Sequence, residues 1–315
     1  MATQTTTVPA PTRQAEKTQV RTHKKRELSL GKQLLYQVML LMIAFVVMFP
    51  ILWVISLSLD PRNISRPTEL NLIPPGASLA AYTKVLKQPT SNPVSFAQLA
   101  FNSLKLGAGV AFFSVLIGVS AAYVFSRFDI PGRRFLMLAV LTVLMLPAIA
   151  TIAPLFVLFN KVQIGASPAD SLRNSLLGVG FAIISGALPF AIWNLKGYLD
   201  TIPRDLEEAG RIDGASHNQV FVQIILPLAV PALAVTGFLG FLSGWTEFAI
   251  SWQFLTRPTD FTLTMSLYNM TGQYASTTPW SEFAAMSLLI AVPVAVVYLV
   301  LQKYIIGGLT LGSVK

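Results

Sequence analysis

Few residues in this 315-residue chain have types and spacing suited to catalysis or metal binding. Cysteine is absent, which excludes disulfides, cysteine metal sites and thiol nucleophiles. The two histidines, His23 and His217, have no neighbouring second ligand. We therefore predict no catalytic residue and no metal site. An intramembrane enzyme would need clustered catalytic groups at membrane depth, and the sequence offers none.

One acidic residue, Glu247, lies within a strongly apolar stretch. An unpaired charge in hydrocarbon costs several kcal/mol, so such a residue is a candidate for a functional role. Two interpretations stay open: Glu247 lines a solute pathway, or it stabilises helix packing or subunit pairing. A secondary transporter coupled to ions would be expected to carry several such charges, together with inverted repeats.

The composition indicates a membrane protein, because only 12% of the residues are charged and the mean hydropathy is +0.61. Soluble chains carry about 25% charged residues. Six stretches reach the roughly 20 apolar residues that a spanning helix requires. They are about 34–59, 104–126, 135–160, 174–195, 228–254 and 283–302. The predicted fold is an all-α polytopic membrane protein with six transmembrane helices, in a domain covering 34–304.

The basic residues predict the orientation. Residues 1–33 form a basic tail without the cleavage site of a signal peptide. With this tail inside the cell, fifteen of the 23 Lys and Arg residues lie on the cytoplasmic side. Both termini, including the tail 305–315, are then cytoplasmic. The net charge of +9 is a topology signal of this kind, so no nucleic-acid partner is predicted.

The connection 196–227, between the fourth and fifth spans, is longer than a bare connector needs to be. Thr201 is suited to cap a first helix, Gly214 to end it, and Ser216 to cap a second helix that Pro227 bounds. The alternative is an amphipathic pair of helices resting on lipid headgroups. Anionic headgroups would repel the acidic first helix, so a protein partner is the better interpretation.

The sequence of this connection resembles the EAA loop of ABC-importer permeases. The matching residues are Glu208-Ala-Gly-x-x-x-Gly214, then nine residues, then Ile224-x-Leu226-Pro227. Gly210 replaces the second alanine of the family pattern. The resemblance implies that the loop is a coupling element seated on an ATPase. The residues implied in coupling are Glu208, Ala209, Gly210, Asp213, Gly214, Ala215, Ile224, Leu226 and Pro227.

Further resemblances indicate the carbohydrate subfamily. The segments similar to sugar-importer permeases are Pro50–Trp53, Leu72–Pro75, Ala122–Arg133 and Trp280–Ala285. The ending Gly308-Leu-Thr-Leu-Gly-Ser-Val-Lys315 is similar to that of MalG-type permeases of maltose importers. The implied cargo is maltose or maltodextrin. The alternatives are another sugar, such as trehalose, or another small polar solute.

The resemblance also implies the partners, at the cytoplasmic membrane of a prokaryote. They are a MalF-like second permease, an ATPase dimer and an extracytoplasmic solute-binding protein, with membrane lipid around the spans. The chain has no nucleotide-binding fingerprint, so it binds no cofactor, and ATP and Mg²⁺ belong to the ATPase. Tyr274 and Trp280 are implied in binding-protein contact, although such aromatics also suit a membrane interface. The tail residues implied in ATPase contact are Gly308, Leu309, Thr310, Gly312 and Lys315; the alternative is a flexible terminus.

Overall fold

The computed structural model describes residues 29–63, 72–167, 170–271 and 277–311. In these ranges the regular structure is helical, apart from one isolated β-bridge between Gln163 and Ser171. The prediction of an all-α protein is confirmed. In chain order the α-helices are α1 Leu30–Ser58, α2 Ala80–Lys87, α3 Phe96–Arg127, α4 Arg133–Leu144, α5 Ala148–Lys161, α6 Leu176–Leu199, α7 Asp205–Ile212, α8 His217–Gln219, α9 Leu226–Trp245, α10 Ala249–Phe254, α11 Leu263–Asn269 and α12 Trp280–Leu311.

Within the described ranges, five helical stretches are long and apolar enough to cross a membrane. They are Leu30–Ser58, Phe96–Arg127, Leu176–Leu199, His217–Phe254 and Trp280–Ile305. A sixth span exists only if α4 and α5 are counted together. The predicted stretch 135–160 is divided between these two helices, which meet at a bend of 99°. Pro147 lies at the bend, and proline both lacks an N–H donor and disfavours a helical conformation at the preceding residue.

The chain divides after Pro50 into two units. In the first unit, the described residues form most of α1, and their apolar side chains are exposed. An apolar and exposed helix of this length is what a lipid environment requires.

In the second unit, residues 51–315, α3 packs against both α6 and α9, and α12 packs against α9. Glycines make the contact between α3 and α9 close. A Cβ on Gly244 would lie 2.7 Å from the carbonyl oxygen of Leu106, and a Cβ on Gly240 would lie 3.0 Å from Ala111 Cα. Small residues let helix backbones approach in this way when the hydrophobic effect cannot drive pairing in lipid.

Polar side chains fix the other end of the bundle, away from α7. Buried Asn102 on α3 donates hydrogen bonds to the carbonyl oxygens of Thr259, at 2.7 Å, and Phe261, at 3.0 Å. Buried Trp245 donates from Nε1 to the carbonyl oxygen of Ile290, at 3.0 Å, and so ties α9 to α12. These bonds satisfy backbone groups that helices and lipid leave unpaired.

Gly244→Ala should destabilise the protein by about 1–3 kcal/mol, because the new methyl group meets backbone atoms that cannot rotate away. Gly237→Ala is the matched control on the same helix: its Cβ would meet only Val115 Cγ2, at 3.4 Å. The measurement is the thermal unfolding midpoint of both variants in detergent. Equal midpoints would contradict the close approach of α3 and α9.

Candidate functional site

The first helix of the 196–227 connection, α7, begins at Asp205. The prediction that Thr201 caps this helix is wrong. Its hydroxyl donates instead to the carbonyl oxygen of Tyr198, at 2.7 Å, and the position before α7 is occupied by Arg204 without a side-chain cap. The acidic residues of the first turn supply the favourable interaction with the positive end of the helix.

The turn after α7 has the predicted form. Gly214 has a φ of +88°, in the left-handed region that favours glycine. Ser216 and Gln219 then form a reciprocal capping box at the start of α8. From there the chain continues through a π-helical segment, Val220–Ile225, into α9. Pro227 therefore lies near the start of α9, and the helical path from the loop into this apolar helix is continuous.

The buried face of α7 is held by an ion pair that the sequence did not predict. Glu207 is 3% exposed, and its Oε1 accepts from Arg127 Nε at the end of α3. Tyr123 donates its hydroxyl to Glu207 Oε2, at 3.1 Å, and Arg127 Nη2 donates to the carbonyl oxygen of Ile202, at 2.9 Å. Both charges are thus dehydrated and both are hydrogen-bonded, as a buried pair requires.

A second set of bonds joins the same helix end to the connection. Ser126 donates from Oγ to Asp200 Oδ1, at 2.6 Å, and Arg204 Nη2 donates to the carbonyl oxygen of Ser126, at 3.1 Å. Burial alone would raise the pKa of Asp200, but hydrogen bonds from Lys196 and Ser126 outweigh it and hold that pKa below its usual value. The stabilisation is therefore present above the usual pKa of Asp and is lost as the pH falls through the lowered one.

Gly210 faces the π-helical segment. A Cβ at this position would lie 2.6 Å from Ile224 Cδ1 and 3.4 Å from Val220 Cγ2. The family-typical alanine would thus need a shift of the Ile224 side chain. The structure brings Gly210 and Ile224, which the motif separates in sequence, into direct proximity.

The opposite face of α7 is exposed. Glu208, Ala209 and Asp213 are exposed, and so is Ile212, at 85%. Of the other motif residues, Ala215, Ile224 and Leu226 are partly buried. Gly214 and Pro227 are exposed. The connection therefore presents a short acidic and apolar surface while Glu207 and Gly210 attach it to the rest of the protein.

Glu247 lies in the break between α9 and α10 and not inside an uninterrupted helix. Its carboxylate accepts from the backbone N–H of Ile250, at 2.6 Å, and of Ser251, at 2.9 Å, and from the Ser251 hydroxyl. The N-terminal end of α10 thus stabilises the negative charge. This geometry satisfies the carboxylate within the apolar stretch His217–Phe254.

Exposed aromatic side chains follow this break. The Tyr268 ring lies 4.7 Å from the Phe248 ring and 4.8 Å from the Trp252 ring, measured between centroids. Trp252 also borders a cavity of about 460 Å³ that Asn92, Thr256 and Asn269 line as well. Aromatic faces beside amides and hydroxyls are suited to a small polar organic ligand.

The remaining predicted site residues come from the C-terminal part of the chain. Trp280 begins α12 and packs edge-on against Phe283, while Tyr274 lies outside the described residues. The helical backbone of α12 continues through Gly308, Leu309 and Thr310, whereas Gly312 and Lys315 lie outside the described residues. Among the described residues, no group of three or more His, Asp or Glu side chains is placed to hold a metal ion.

Comparison with known proteins decides the family. Residues 114–309 match the family described as "Binding-protein-dependent transport system inner membrane component". The chain belongs to this family. It is therefore a multi-pass protein of the cytoplasmic membrane and a transport component, not an enzyme in itself.

Three curated relatives extend over nearly the whole chain. The galactooligosaccharides transport system permease protein GanQ of Bacillus subtilis is 33% identical over 90% of this chain and 96% of its own. The trehalose transport system permease protein SugB of Mycobacterium tuberculosis is 31% identical over 85% and 92%. The maltose/maltodextrin transport system permease protein MalG of Yersinia pestis is 32% identical over 87% and 91%.

Solved structures support the fold. A bacterial ABC transporter involved in the import of the acidic polysaccharide alginate matches with a TM-score of 0.69 and 21% identity, over 88% of this chain and 99% of that one. A bacterial alginate ABC transporter in complex with an alginate pentasaccharide-bound periplasmic protein matches with a TM-score of 0.61 and 17% identity. The match covers 87% of this chain and 94% of that one. At these identities the likeness shows the fold alone.

Glu207 and Arg127 were not among the site residues predicted from the sequence. Arg127 is part of the Ala122–Arg133 segment that resembles sugar-importer permeases, at the end of a predicted span. A basic residue there reads equally well as a topology signal. The acidic side chains of the loop indicated a protein partner outside this chain, and not an ion pair within it.

Arg127→Met should release α7, because Glu207 would then be buried without its partner, at a cost of about 3–5 kcal/mol. Hydrogen exchange of the backbone amides in 203–214 should increase. Arg211→Met is the matched control, since Arg211 is exposed on the same helix and forms no ion pair among the described residues. Adding Glu207→Gln to Arg127→Met should restore part of the protection. Equal exchange in the two single variants would show that the ion pair does not hold α7.

Proposed function

We propose that this chain is a permease subunit of a binding-protein-dependent ABC importer that moves a sugar across the cytoplasmic membrane. In this proposal the chain has six spans, with α4 and α5 as a broken third span, and both termini are cytoplasmic. The 196–227 connection is the coupling loop that contacts the ATPase. The observation that carries the proposal is the double character of α7: its Glu207 face is fixed to α3, and its Glu208 face is free for a partner.

The attachment of α7 is suited to transmit movement. A helix that follows ATPase closure must be rigidly joined to the spans it moves. The Glu207–Arg127 pair joins α7 to α3, and the contact of Gly210 with the π-helical segment joins it to α9. Two spans are thus attached directly to one eight-residue helix.

The exposed face of α7 has the chemistry of a protein interface. Ile212 and Leu206 are exposed apolar side chains beside the carboxylates of Glu208 and Asp213. An ATPase groove with apolar walls and basic side chains at its rim would complement this face. ATP and Mg²⁺ would then bind to the ATPase dimer. The tail residues proposed for a second ATPase contact are Gly308, Leu309, Thr310, Gly312 and Lys315.

The sugar assignment draws on the relatives and on the end of the bundle away from α7. GanQ, SugB and MalG are named for galactooligosaccharide, trehalose and maltose transport. The cavity beside Trp252, with its amides and hydroxyls, suits a sugar that passes from an extracytoplasmic binding protein. Tyr274 and Trp280 are proposed to contact that binding protein. Glu247, held at its helix break, is proposed to shape the pathway together with a MalF-like second permease.

Maltose or maltodextrin is the proposed cargo, and the C-terminal resemblance to MalG-type permeases supports it. The alternatives are galactooligosaccharide, trehalose or another small polar solute. The binding protein and the second permease carry much of the selectivity, so the cargo is tested on them.

Glu208→Lys should abolish sugar uptake while the protein still inserts into the membrane, because it reverses the charge on the face proposed to meet the ATPase. Asn218→Lys is the control: Asn218 is exposed in the same connection but lies outside the motif residues. Uptake of radiolabelled sugar in cells and the amount of membrane-inserted protein are measured together. Normal uptake with Glu208→Lys would refute the coupling role.

The solute-binding protein proposed as a partner of this chain should bind maltose and maltotriose at least about tenfold more tightly than trehalose or galactooligosaccharide, a difference of ~1.4 kcal/mol. Isothermal titration with each sugar is the measurement. Tighter binding of trehalose or galactooligosaccharide would contradict maltose as the cargo and would indicate the preferred sugar instead. Binding of none of the four would contradict the cargoes proposed from the relatives.

A further inference from the structure

A cavity of about 1070 Å³ opens at the end of the bundle that carries α7. Its walls come from α4, α6 and α9, with Ile305 of α12. Residues at the start of the 196–227 connection line it, but the motif residues Glu208–Ala215 and the Glu207–Arg127 pair do not. The cavity is therefore distinct from the exposed face of α7 that is proposed to meet the ATPase.

The rim of this cavity is basic. Arg133 and Arg134 begin α4, and Lys196 lies near the end of α6. The one acidic lining residue, Asp200, is already paired with Lys196. Arg134 is exposed and Arg133 is half-buried, and neither forms an ion pair within the part of the chain that the structure describes. The rim thus carries a net charge of about +2 aimed at the cavity mouth.

The deeper walls are apolar. Met137, Leu138 and Leu141 lie at helical spacing after Arg134, and Pro231 and Val235 of α9 line the facing wall. Leu141 is eight residues beyond Arg133, which is roughly 12 Å along the helix axis. A ligand that fills this cavity must carry a negative charge at one end and hydrocarbon at the other.

Two other polar side chains that line the cavity already form hydrogen bonds within the chain. Asn194 donates from Nδ2 to Thr236 Oγ1, at 3.1 Å, and Tyr198 donates its hydroxyl to the carbonyl oxygen of Leu228, at 3.3 Å. A sugar needs several hydroxyl partners along its length, and these walls offer few. Free phosphate would satisfy the arginines but would leave the apolar walls exposed to water.

We propose that this cavity binds an anionic phospholipid, with the headgroup phosphate on Arg133 and Arg134 and an acyl chain between α4 and α9. Basic pockets between transmembrane helices at the cytoplasmic side are suited to such headgroups. Trp193, exposed beside the rim, has the amphipathic character of side chains at the level of lipid headgroups. The lipid fills the space between the broken third span and the fifth.

The test measures lipid retention by the full chain, purified with its partner subunits, using native mass spectrometry. Phosphatidylglycerol is titrated into delipidated protein, with phosphatidylcholine as the neutral lipid and inorganic phosphate as the competitor. The variant is Arg133→Gln with Arg134→Gln. The control, Lys87→Gln with Lys161→Gln, removes the same charge at exposed positions that do not line the cavity.

We expect the double arginine variant to bind phosphatidylglycerol about tenfold more weakly than the wild type and the lysine control. A second variant, Val235→Trp, keeps both arginines and fills the apolar part, and it should also lower retention. Three results would overturn the proposal: equal retention in the two double variants, equal retention of phosphatidylcholine, or displacement of the lipid by millimolar inorganic phosphate. Full retention with Val235→Trp would place the acyl chain outside this cavity and overturn it as well.

Discussion

The buried ion pair between Arg127 and Glu207 fixes the connection between α6 and α9 to the end of α3. Burying two charges costs several kcal/mol each, and the cost is offset only if the geometry is good and the remaining polar atoms are bonded. Here Tyr123 and the carbonyl oxygen of Ile202 complete the bonding. The pair acts as a specific attachment: α7 cannot shift along α3 without leaving one of these charges unpaired.

The attachment matters because α3 is itself central to the second unit. It packs against α6 and, through backbones brought close at Gly240 and Gly244, against α9. Contacts between backbones are stiff, since no side-chain rotamer separates the two helices. A displacement of α7 therefore reaches α9 by two routes, through α3 and through the continuous helical path from Ser216 to the fifth span.

The sequence predicted the features that depend on composition and local chemistry. The helical class, the spans other than the third, the stop at Gly214 and the cap at Ser216 follow from apolar length and backbone preference. The break at Pro147 was not predictable, because Pro154 lies in the same apolar stretch and stays within α5. Whether a proline bends or breaks a membrane helix depends on which neighbours satisfy the freed carbonyl groups, which is a property of the fold.

Which of the two adjacent carboxylates, Glu207 or Glu208, faces α3 also depends on the fold. Glu207 and Glu208 differ by about 100° in direction around the helix, so only one can face α3. The motif draws attention to Glu208, which is exposed, whereas the partner of Glu207 lies 80 residues earlier in the sequence. The environment of Gly210 also depends on the fold, because Ile224, from the other half of the motif, limits the space for a Cβ at this position. The two halves therefore form one packing unit: one face is specified by the fold of this chain, and the exposed face is left to be specified by a partner.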